Sequence, residues 1–284
     1  MDASVDVAST PAAIEHYNVG NDFYQLWLDA SLTYSCPLYA GPDDTLHAAQ
    51  LRKLDYHIEH ARAAGAKRVL DIGCGWGSLL DRLVNTHGVE HAVGLTLSQQ
   101  QADLIRSRHL PRTEVVLSHW AEHRPAEKYD AIISIGAFEH FAHIDQNRTQ
   151  RVQAYRQFFA HCRDLIKPRG RMTVQTTVYE LMDRLDPFIT GKIWPEAQLP
   201  RLVEMVEAAD HIFEVVAVDN HSEHYERALL EWAANLAAHR DEAIRVTSPA
   251  IYEEYLRYLK MSAKAYRVRG FSLQRLTLQA LPAT

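Results

Sequence analysis

An acid and an imidazole stand side by side in the stretch SIGAFEHF, where Glu139 and His140 follow a run of apolar residues. The preceding segment, YDAIISIG from Tyr129 to Gly136, has few polar side chains, as expected of a parallel strand covered on both faces. Ligands of open α/β sheets bind at the carboxyl ends of such strands. The position therefore predicts that Glu139 and His140 face a ligand and act as an acid, a base or a stabiliser of positive charge.

A glycine-rich turn follows the apolar segment KRVLDIG, with Gly73, Gly75 and Gly77 in GCGWGS. Glycine at a strand-to-helix turn lets a ligand approach the backbone closely, and Asp71 lies two residues before the first glycine. The G-x-G-x-G spacing differs from the G-x-G-x-x-G of dinucleotide binders, and no Lys-Ser or Lys-Thr follows as in a P-loop. The turn predicts a ligand site of another kind, and the alternative is a tight turn that only packs a helix on a strand.

Short apolar runs alternate with segments of helical period from about residue 67 onward. This alternation is typical of βαβ units and predicts an α/β fold with a parallel sheet. A helix is predicted from about Arg148 to Ile166. Strands are predicted at KRVLDIG, HAVGLTL, EVVLS, YDAIISIG and GRMTVQTTV, with FEVVAVDNH and FSLQRLTLQ as late candidates.

Two regions stand outside this alternation, and we interpret both as walls of a ligand pocket. One is the first 60 residues, which look helical and are rich in aromatic side chains that could equally be plain core. The other includes FITGKIWPEAQLP, between two predicted strands. We therefore predict a single domain over residues 1–284, with a helical cap at 1–62, a cofactor-binding core at 63–178, an inserted lid at 179–210 and the rest of the core at 211–284.

Composition limits the class of protein. The 284 residues are 47% hydrophobic, which supports a substantial core, and a formal net charge of −6 does not favour a nucleic-acid partner. No apolar run approaches the ~20 residues that span a bilayer, and the N-terminus lacks a signal-peptide pattern, so we expect a soluble, cytoplasmic protein. Free thiols and no metal site are predicted, because the cysteines and histidine pairs lack further ligands at metal-binding spacing. These residues are Cys36, Cys74, Cys162, His57 with His60, and His140 with His143.

Several stretches along the chain resemble one family of enzymes. The turn VLDIGCGWGSL resembles motif I of the class I S-adenosylmethionine-dependent methyltransferases. Together with HYNVGNDFYQLWLDASLTYSC, TLHAAQLRKLD, VGLTLSQQQ, SIGAFEHF, IWPEAQLP and HYERALLEW, it resembles the cyclopropane fatty acid synthase and mycolic acid cyclopropane synthase family. The resemblance implies a Rossmann-like fold with a mostly parallel seven-stranded sheet and S-adenosylmethionine as cofactor. Plant N-methyltransferases of alkaloid biosynthesis share this scaffold, so the resemblance fixes the cofactor better than the acceptor.

The resemblance also assigns residues to the cofactor. Tyr34 and Ser35 are expected at its methionine end, and Trp120 is expected to pack against the adenine. The chain departs from common patterns at two places, since Thr96 is neutral where many methyltransferases have an acid for the ribose and Ala121 stands where an acid often follows the tryptophan. The full expected set is Tyr34, Ser35, Asp71, Gly73, Gly75, Gly77, Thr96, Leu97, Gln101, Trp120 and Ile135.

For the chemical step, the resemblance implies a bound bicarbonate that acts as the base. The positions that match its ligands in relatives are Cys36, Glu139, Gln175 and Tyr225, with His140 as a helper. Relatives have a histidine where this chain has Gln175, and an amide neither carries positive charge nor exchanges a proton. Either bicarbonate binds more weakly here, or the site serves another task with Glu139 itself as the base or as the partner of a cation. Cys36 taken alone would be a small buried apolar residue.

These features together predict an S-adenosylmethionine-dependent C-methyltransferase that acts on an alkene or another electron-rich carbon of a hydrophobic small molecule or acyl chain. N-methylation of a small amine and a non-methylating cyclase that retains the cofactor are the alternatives. An insertion after Phe141, AHIDQNRTQRVQAYRQFF, resembles, together with Gln175, a branch associated with bacterial specialised metabolism. The insertion either starts a helix capped by Asp145 or Asn147 or rims the pocket. The sequence leaves the oligomeric state open.

Overall fold

Seven strands form one sheet in the part of the chain that the structure, a computed structural model, describes: residues 19–195 and 197–282. The strands are β1 (Arg68–Ile72), β2 (His91–Thr96), β3 (Thr113–Leu117), β4 (Tyr129–Ile135), β5 (Ile166–Tyr179), β6 (Phe213–Asn220) and β7 (Phe271–Ala280). Their order is β3-β2-β1-β4-β5-β7-β6, and only the pairs that involve β7 are antiparallel. The predicted Rossmann-like, mostly parallel seven-stranded sheet is confirmed.

Helices cover the sheet and the carboxyl ends of its strands. Within the described ranges they are α1 (Asn21–Gln25), α2 (Leu46–His60), α3 (Ser78–Asn85), α4 (Gln99–Ser107), α5 (Arg148–Leu165), α6 (Leu202–Ala209), α7 (Ser222–Ala238), α8 (Arg240–Val246) and α9 (Pro249–Arg267). Side-chain oxygens cap several of them, as Ser98 does for α4 by accepting from the N–H of Gln101. None of the helices in residues 19–195 and 197–282 is long and apolar enough to cross a membrane.

The insertion after Phe141 forms the start of α5. The side chain of Asn147 accepts from the N–H of Gln150 at 3.1 Å, and Oε1 of Gln150 accepts from the N–H of Asn147 at 2.9 Å. This reciprocal pair is a capping box, which satisfies two backbone donors at a helix start. Of the two interpretations of the insertion, a helix capped by Asn147 is confirmed, and α5 ends at Leu165, within one residue of the prediction.

The N-terminal region is less helical than predicted. Residues 26–45 contain no helix, and the part of this prediction that concerns residues 1–18 lies outside the described chain. The carboxylate of Asp29 accepts from the N–H groups of Ser31 and Thr33, each at 3.0 Å. Such local side-chain bonds occupy donors that a helix would need, and so they favour a turn. The aromatic residues Trp27 and Phe23 are buried in the core, as the simpler interpretation of them held.

Candidate active site

The glycine turn between β1 and α3 bends through left-handed backbone conformations. Gly73, Gly75 and Gly77 have φ values of +83°, +52° and +85°. A Cβ at Gly73 would stand 2.8 Å from the Cβ of Ala137, and one at Gly77 would stand 2.8 Å from Cγ1 of Ile105. A Cβ at Gly75 would meet nothing among the described residues within 4 Å. Packing therefore requires Gly73 and Gly77, whereas Gly75 leaves room for a ligand.

A cavity, here called the turn cavity, lies over this turn at the carboxyl ends of β1, β2 and β4. Its walls include all but one of the residues expected at a cofactor: Tyr34, Ser35, Asp71, Gly73, Gly75, Thr96, Leu97, Gln101, Trp120 and Ile135. Gly77 is the exception, because it faces Ile105 of α4 and does not line the cavity. The sequence thus identified the wall correctly but could not separate a packing glycine from a lining one.

Two buried donors in the turn cavity lack acceptors. Oε1 of Gln101 accepts a hydrogen bond from the hydroxyl of Thr96 at 2.7 Å, so the amide nitrogen of Gln101 points away from Thr96. Nε2 of Gln101 and Nε1 of Trp120 are buried without a hydrogen-bond partner in the described chain. A buried unsatisfied donor costs about 1–3 kcal/mol. Both groups therefore fit a ligand that brings its own acceptors.

Helix α2 holds the segment of Tyr34 and Ser35 against the turn cavity. Nε2 of Gln50 donates to the carbonyl oxygens of Thr33 and Ser35 at 3.0 and 2.9 Å. Lys53 lines the cavity and donates from Nζ to Oγ of Ser35 at 2.8 Å. Lys53 was missed in the sequence analysis. Its spacing of three from Gln50, which places both side chains on one helical face, was the signal that could have found it.

A second cavity, here called the aromatic cavity, adjoins the turn cavity. The residues common to both walls are Tyr34, Ser35, Gly136 and His140. The aromatic cavity owes its name to the rings of Tyr34, Trp194, Tyr225, Tyr258, Tyr266 and Phe271. The rings of Tyr34 and Trp194 stack with centroids 6.1 Å apart. Among the residues that the structure describes, no Lys or Arg lines this cavity and Glu139 is the one acidic residue in its wall.

Glu139 stands in the wall of the aromatic cavity, on the turn after β4. Its Oε1 accepts from the backbone N–H of Thr177 at 2.8 Å. Its Oε2 is buried and has no hydrogen-bond partner within residues 19–195 and 197–282. Burial raises the pKa of this carboxyl, although the bond from Thr177 opposes the change. The region predicted as a lid is tied to this turn, since the N–H of Gln198 donates to the carbonyl oxygen of Glu139 at 3.1 Å.

His140 lies in the wall between the two cavities. Its ring centroid is 5.2 Å from that of Trp194. Burial lowers the pKa of the imidazole to about 4, so the ring is neutral at pH 7. A neutral imidazole at this place can accept a hydrogen bond, but it does not supply positive charge.

Gln175 is held by protein groups that the sequence analysis did not connect with it. Its Oε1 accepts from Nε of Arg275 at 2.8 Å and lies 3.3 Å from Nε2 of His57. Its Nε2 donates to the carbonyl oxygen of Cys36 at 3.3 Å. Arg275 meets Gln175 because the two are directly opposed in the antiparallel pairing of β5 with β7. Both ends of the Gln175 amide are therefore occupied by the protein, and Arg275 and His57 line neither cavity.

The two remaining predicted catalytic residues, Tyr225 and Cys36, lie in different environments. Tyr225 lines the aromatic cavity, with its ring 4.9 Å from that of Tyr266. Cys36 lines neither cavity and is fully buried, with Sγ 3.4 Å from the carbonyl oxygen of Pro37. Burial raises the pKa of the thiol to about 12. This placement agrees with the simpler interpretation of Cys36 as a small buried side chain.

Comparison with known proteins bears on what these cavities hold. The family model for mycolic acid cyclopropane synthetase matches residues 7–276, nearly the whole chain. The chain belongs to this family. Cyclopropane mycolic acid synthase 3 of Mycobacterium tuberculosis (strain CDC 1551 / Oshkosh) is 34% identical over 93% of this chain and 95% of its own length. The resemblance read from the sequence is confirmed.

Solved structures of cyclopropane synthases share the fold closely. The cyclopropane synthase MmaA2 from Mycobacterium tuberculosis matches with a TM-score of 0.87 at 31% identity, over 96% of this chain and 99% of that one. The mycolic acid cyclopropane synthase CmaA1, complexed with SAH and CTAB, matches with a TM-score of 0.86 at 31% identity, over 95% and 98% of the two chains. The protein is an S-adenosylmethionine-dependent methyltransferase of the cyclopropane synthase kind, as predicted.

The residues that line the turn cavity fit S-adenosylmethionine, the methyl donor. S-adenosylmethionine supplies an electrophilic methyl group on a sulfonium. The open side of Gly75 would leave room for this donor, and the unpaired N–H groups of Gln101 and Trp120 could donate to acceptor atoms of its adenosyl group. Because Tyr34 and His140 line both cavities, the reacting end of the donor is expected beside the aromatic cavity.

Proposed function

We propose that this enzyme transfers the methyl group to an unsaturated carbon of an uncharged, apolar acceptor held in the aromatic cavity, and that Glu139 removes the proton that must then leave. One observation carries the proposal. Oε2 of Glu139 is a buried carboxylate oxygen without a partner in the described chain, in a cavity walled by aromatic rings next to the donor site. A buried carboxylate oxygen without a partner destabilises the folded protein. Its presence is explained if it interacts with a positive charge, or accepts a proton, during the reaction.

The proposed chemistry needs no group beyond the donor, the acceptor and Glu139. The π electrons of the acceptor form a bond to the methyl carbon while the carbon–sulfur bond breaks, which leaves positive charge on the neighbouring acceptor carbon. The faces of aromatic rings such as Tyr34 and Trp194 stabilise that charge, and so does the carboxylate of Glu139. Oε2 of Glu139 then takes a proton. If the proton comes from the transferred methyl group, a cyclopropane closes; if it comes from an adjacent carbon, a new double bond forms.

The lining of the aromatic cavity supports an uncharged acceptor. Burying a phosphate or carboxylate there would place a second negative charge beside Glu139 without a lysine or arginine to pair with it in the described wall. Cyclopropane mycolic acid synthase 3 and the mycolic acid cyclopropane synthase CmaA1 are named for mycolic acids, which supports an acyl chain or a chain of similar polarity. An isoprenoid or another apolar natural product meets the same requirement.

A comparison of acceptors that differ only in the head group tests this proposal. Isoprenoid and mono-unsaturated straight-chain alcohols would be incubated with the donor beside the corresponding amines and monophosphates, with product structures determined by mass spectrometry and NMR. We expect C-methylated products from an alcohol and at least about a hundred-fold lower kcat/KM for its monophosphate, which would bury an unpaired charge. Equal kcat/KM for the alcohol and the monophosphate would contradict the uncharged acceptor.

N-methylation of an amine is the second candidate, and one observation favours it. His140 is neutral and lies between the two cavities, where its ring can accept a hydrogen bond from an amine acceptor that has already lost its proton. The amines in the acceptor series separate the two candidates. Methyl transfer to nitrogen, with the alkene unchanged, would favour the amine acceptor over the alkene.

Bicarbonate does not fit this site well, and we expect the enzyme to work without it. The thiol of Cys36 does not line the aromatic cavity, and the amide of Gln175 is bound to Arg275, His57 and the backbone. Removal of carbon dioxide and bicarbonate from the assay should therefore change kcat by less than about two-fold, because Glu139 is the base. Rates would be measured under argon with and without added bicarbonate, and a rate that falls and is restored by bicarbonate would contradict this expectation.

A further inference from the structure

The hydroxyl of Thr177 links the carboxylate of Glu139 to a buried tyrosine. Thr177 lies on β5 and gives its backbone N–H to Oε1 of Glu139 at 2.8 Å. Its Oγ1 lies 2.8 Å from the hydroxyl of Tyr266, a residue of α9 that is 6% exposed. Both Thr177 and Tyr266 line the aromatic cavity. The sequence analysis connected neither of them with the site, because they stand 89 residues apart in the chain.

The phenol of Tyr266 is held in its protonated form and can therefore act as a donor. Burial raises the pKa of Tyr266 well above its ordinary value, and the hydrogen bond with Thr177 offsets this only in part. When the O–H of Tyr266 donates to Oγ1 of Thr177, the hydroxyl hydrogen of Thr177 is available to Glu139. Burial raises the pKa of Glu139, and the hydroxyls of Thr176 and Thr177 oppose that change together with the backbone bond.

Hydrogen bonds decide the charge of Glu139 because no cation of the described wall faces it. The aromatic cavity has neither lysine nor arginine among its described residues. The other titratable side chains around the carboxyl are uncharged at pH 7, since burial raises the pKa of each phenol and lowers the pKa of the imidazole. In the described part of the chain they are Tyr155 of α5, Tyr225 of α7, Tyr258 of α9 and the neighbouring His140. The ionised form of Glu139 therefore depends on uncharged donors such as Thr177.

We propose that Tyr266 is a positioning residue for Glu139: its hydroxyl orients the hydroxyl of Thr177 toward the carboxylate and so stabilises the ionised form. Consecutive hydrogen bonds polarise one another, so the phenol strengthens the bond that Thr177 gives. Oε1 of Glu139 then holds the bonds to β5, and Oε2, which has no partner in the described chain, remains for the proton. This inference rests on the proposed function, in which Glu139 is the base, and adds the residues that keep that base ionised.

The ionisation of Glu139 can be measured without any acceptor. Protein labelled with carbon-13 at the side-chain carboxyl of glutamate would be titrated by NMR, and the signal of Glu139 is the one that Glu139→Gln lacks. Thr177→Val should raise the pKa of Glu139 by about one pH unit and Tyr266→Phe by about half a pH unit, because each variant removes a group that stabilises the carboxylate. Thr177→Ser keeps the hydroxyl and should retain the pKa of the unaltered protein.

Tyr258→Phe is the matched control. Tyr258 also lies on α9 and lines the aromatic cavity, but its hydroxyl accepts from Nε1 of Trp194 at 3.1 Å. This variant should leave the pKa of Glu139 unchanged. An unchanged pKa in Tyr266→Phe, or an equal increase in Tyr258→Phe, would overturn the proposal. If Tyr266→Phe does not fold, Thr177→Val decides the matter, because an unchanged pKa there would mean that the hydroxyl chain does not act on the carboxylate.

The double variant tests whether Tyr266 acts through Thr177. Combined with Thr177→Val, Tyr266→Phe should raise the pKa of Glu139 no further, whereas additive increases would refute the route through the threonine hydroxyl. Steady-state kinetics separates this inference from the proposed function. If Glu139 is the base, the pH at which kcat falls should move upward together with the pKa of the carboxyl. A change in the NMR titration without a change in kcat would refute Glu139 as the base and leave its link to Tyr266 intact.

Discussion

Glu139→Gln is expected to lower kcat by about 10²–10⁴-fold, the range found when a general base is removed. Glutamine has nearly the same shape, and its oxygen can still accept the bond that the N–H of Thr177 gives to Oε1. The amide cannot take up a proton, and it does not stabilise positive charge in the aromatic cavity as a carboxylate does. Because Glu139 does not line the turn cavity, the Kd for S-adenosylmethionine should change by less than about two-fold. Steady-state kinetics and calorimetry on the same preparation measure both.

The pH dependence of the rate gives a second readout for Glu139. Burial raises the pKa of its carboxyl, and only the ionised form acts as a base. With saturating acceptor, kcat should therefore fall as the pH decreases through this raised pKa, and it should fall at a higher pH than for a carboxyl with an ordinary pKa near 4.3. The residual rate of Glu139→Gln should not show this decrease. A variant that turns over as fast as the unaltered enzyme would remove Glu139 from the mechanism.

Gly75→Val is expected to weaken S-adenosylmethionine binding by about 10- to 100-fold, because the new side chain extends into the space that the donor needs. The Cβ position of Gly75 is open in the structure, and no described residue of the protein lies within 4 Å of it. The steric conflict arises with the ligand. Calorimetric titration with S-adenosylmethionine and S-adenosylhomocysteine measures the loss, and an unchanged Kd would mean that the donor does not approach this turn.

Gly88→Val is a matched control for this experiment. Gly88 has a φ of +67°, close to the +52° of Gly75, and its Cβ position is likewise open among the described residues. Valine at either position strains a left-handed backbone, at a cost of about 1–3 kcal/mol. Gly88 lines neither cavity, so its variant should lose stability in thermal unfolding while the donor Kd stays unchanged. Weakened binding in both variants would assign the Gly75 effect to backbone strain.

The sequence by itself determined the sheet and the glycine turn after β1. Buried parallel strands appear as short apolar runs, and helix starts appear as caps such as Ser98 and Asn147, because both signals come from neighbouring residues. The conformation of the glycine turn was readable for a related reason. Gly75 lies in a continuous motif between one strand and one helix, so its local conformation needs no distant contact. Where a local signal was misread, in residues 26–45, turn-forming bonds to Asp29 replaced the expected helix.

Only the tertiary structure decided which side chains meet behind the site. Arg275 reaches Gln175 because β7 pairs with β5 in one particular antiparallel register, and a shift by one residue would turn Arg275 to the other face of the sheet. His57 reaches the same amide from α2, and Lys53 reaches Ser35 from the next turn of that helix. Strand order, register and helix docking bring these groups together. His57 and Gln175, for example, are more than a hundred residues apart in the chain. These contacts cannot be predicted from sequence spacing, because they depend on the packing of the whole domain.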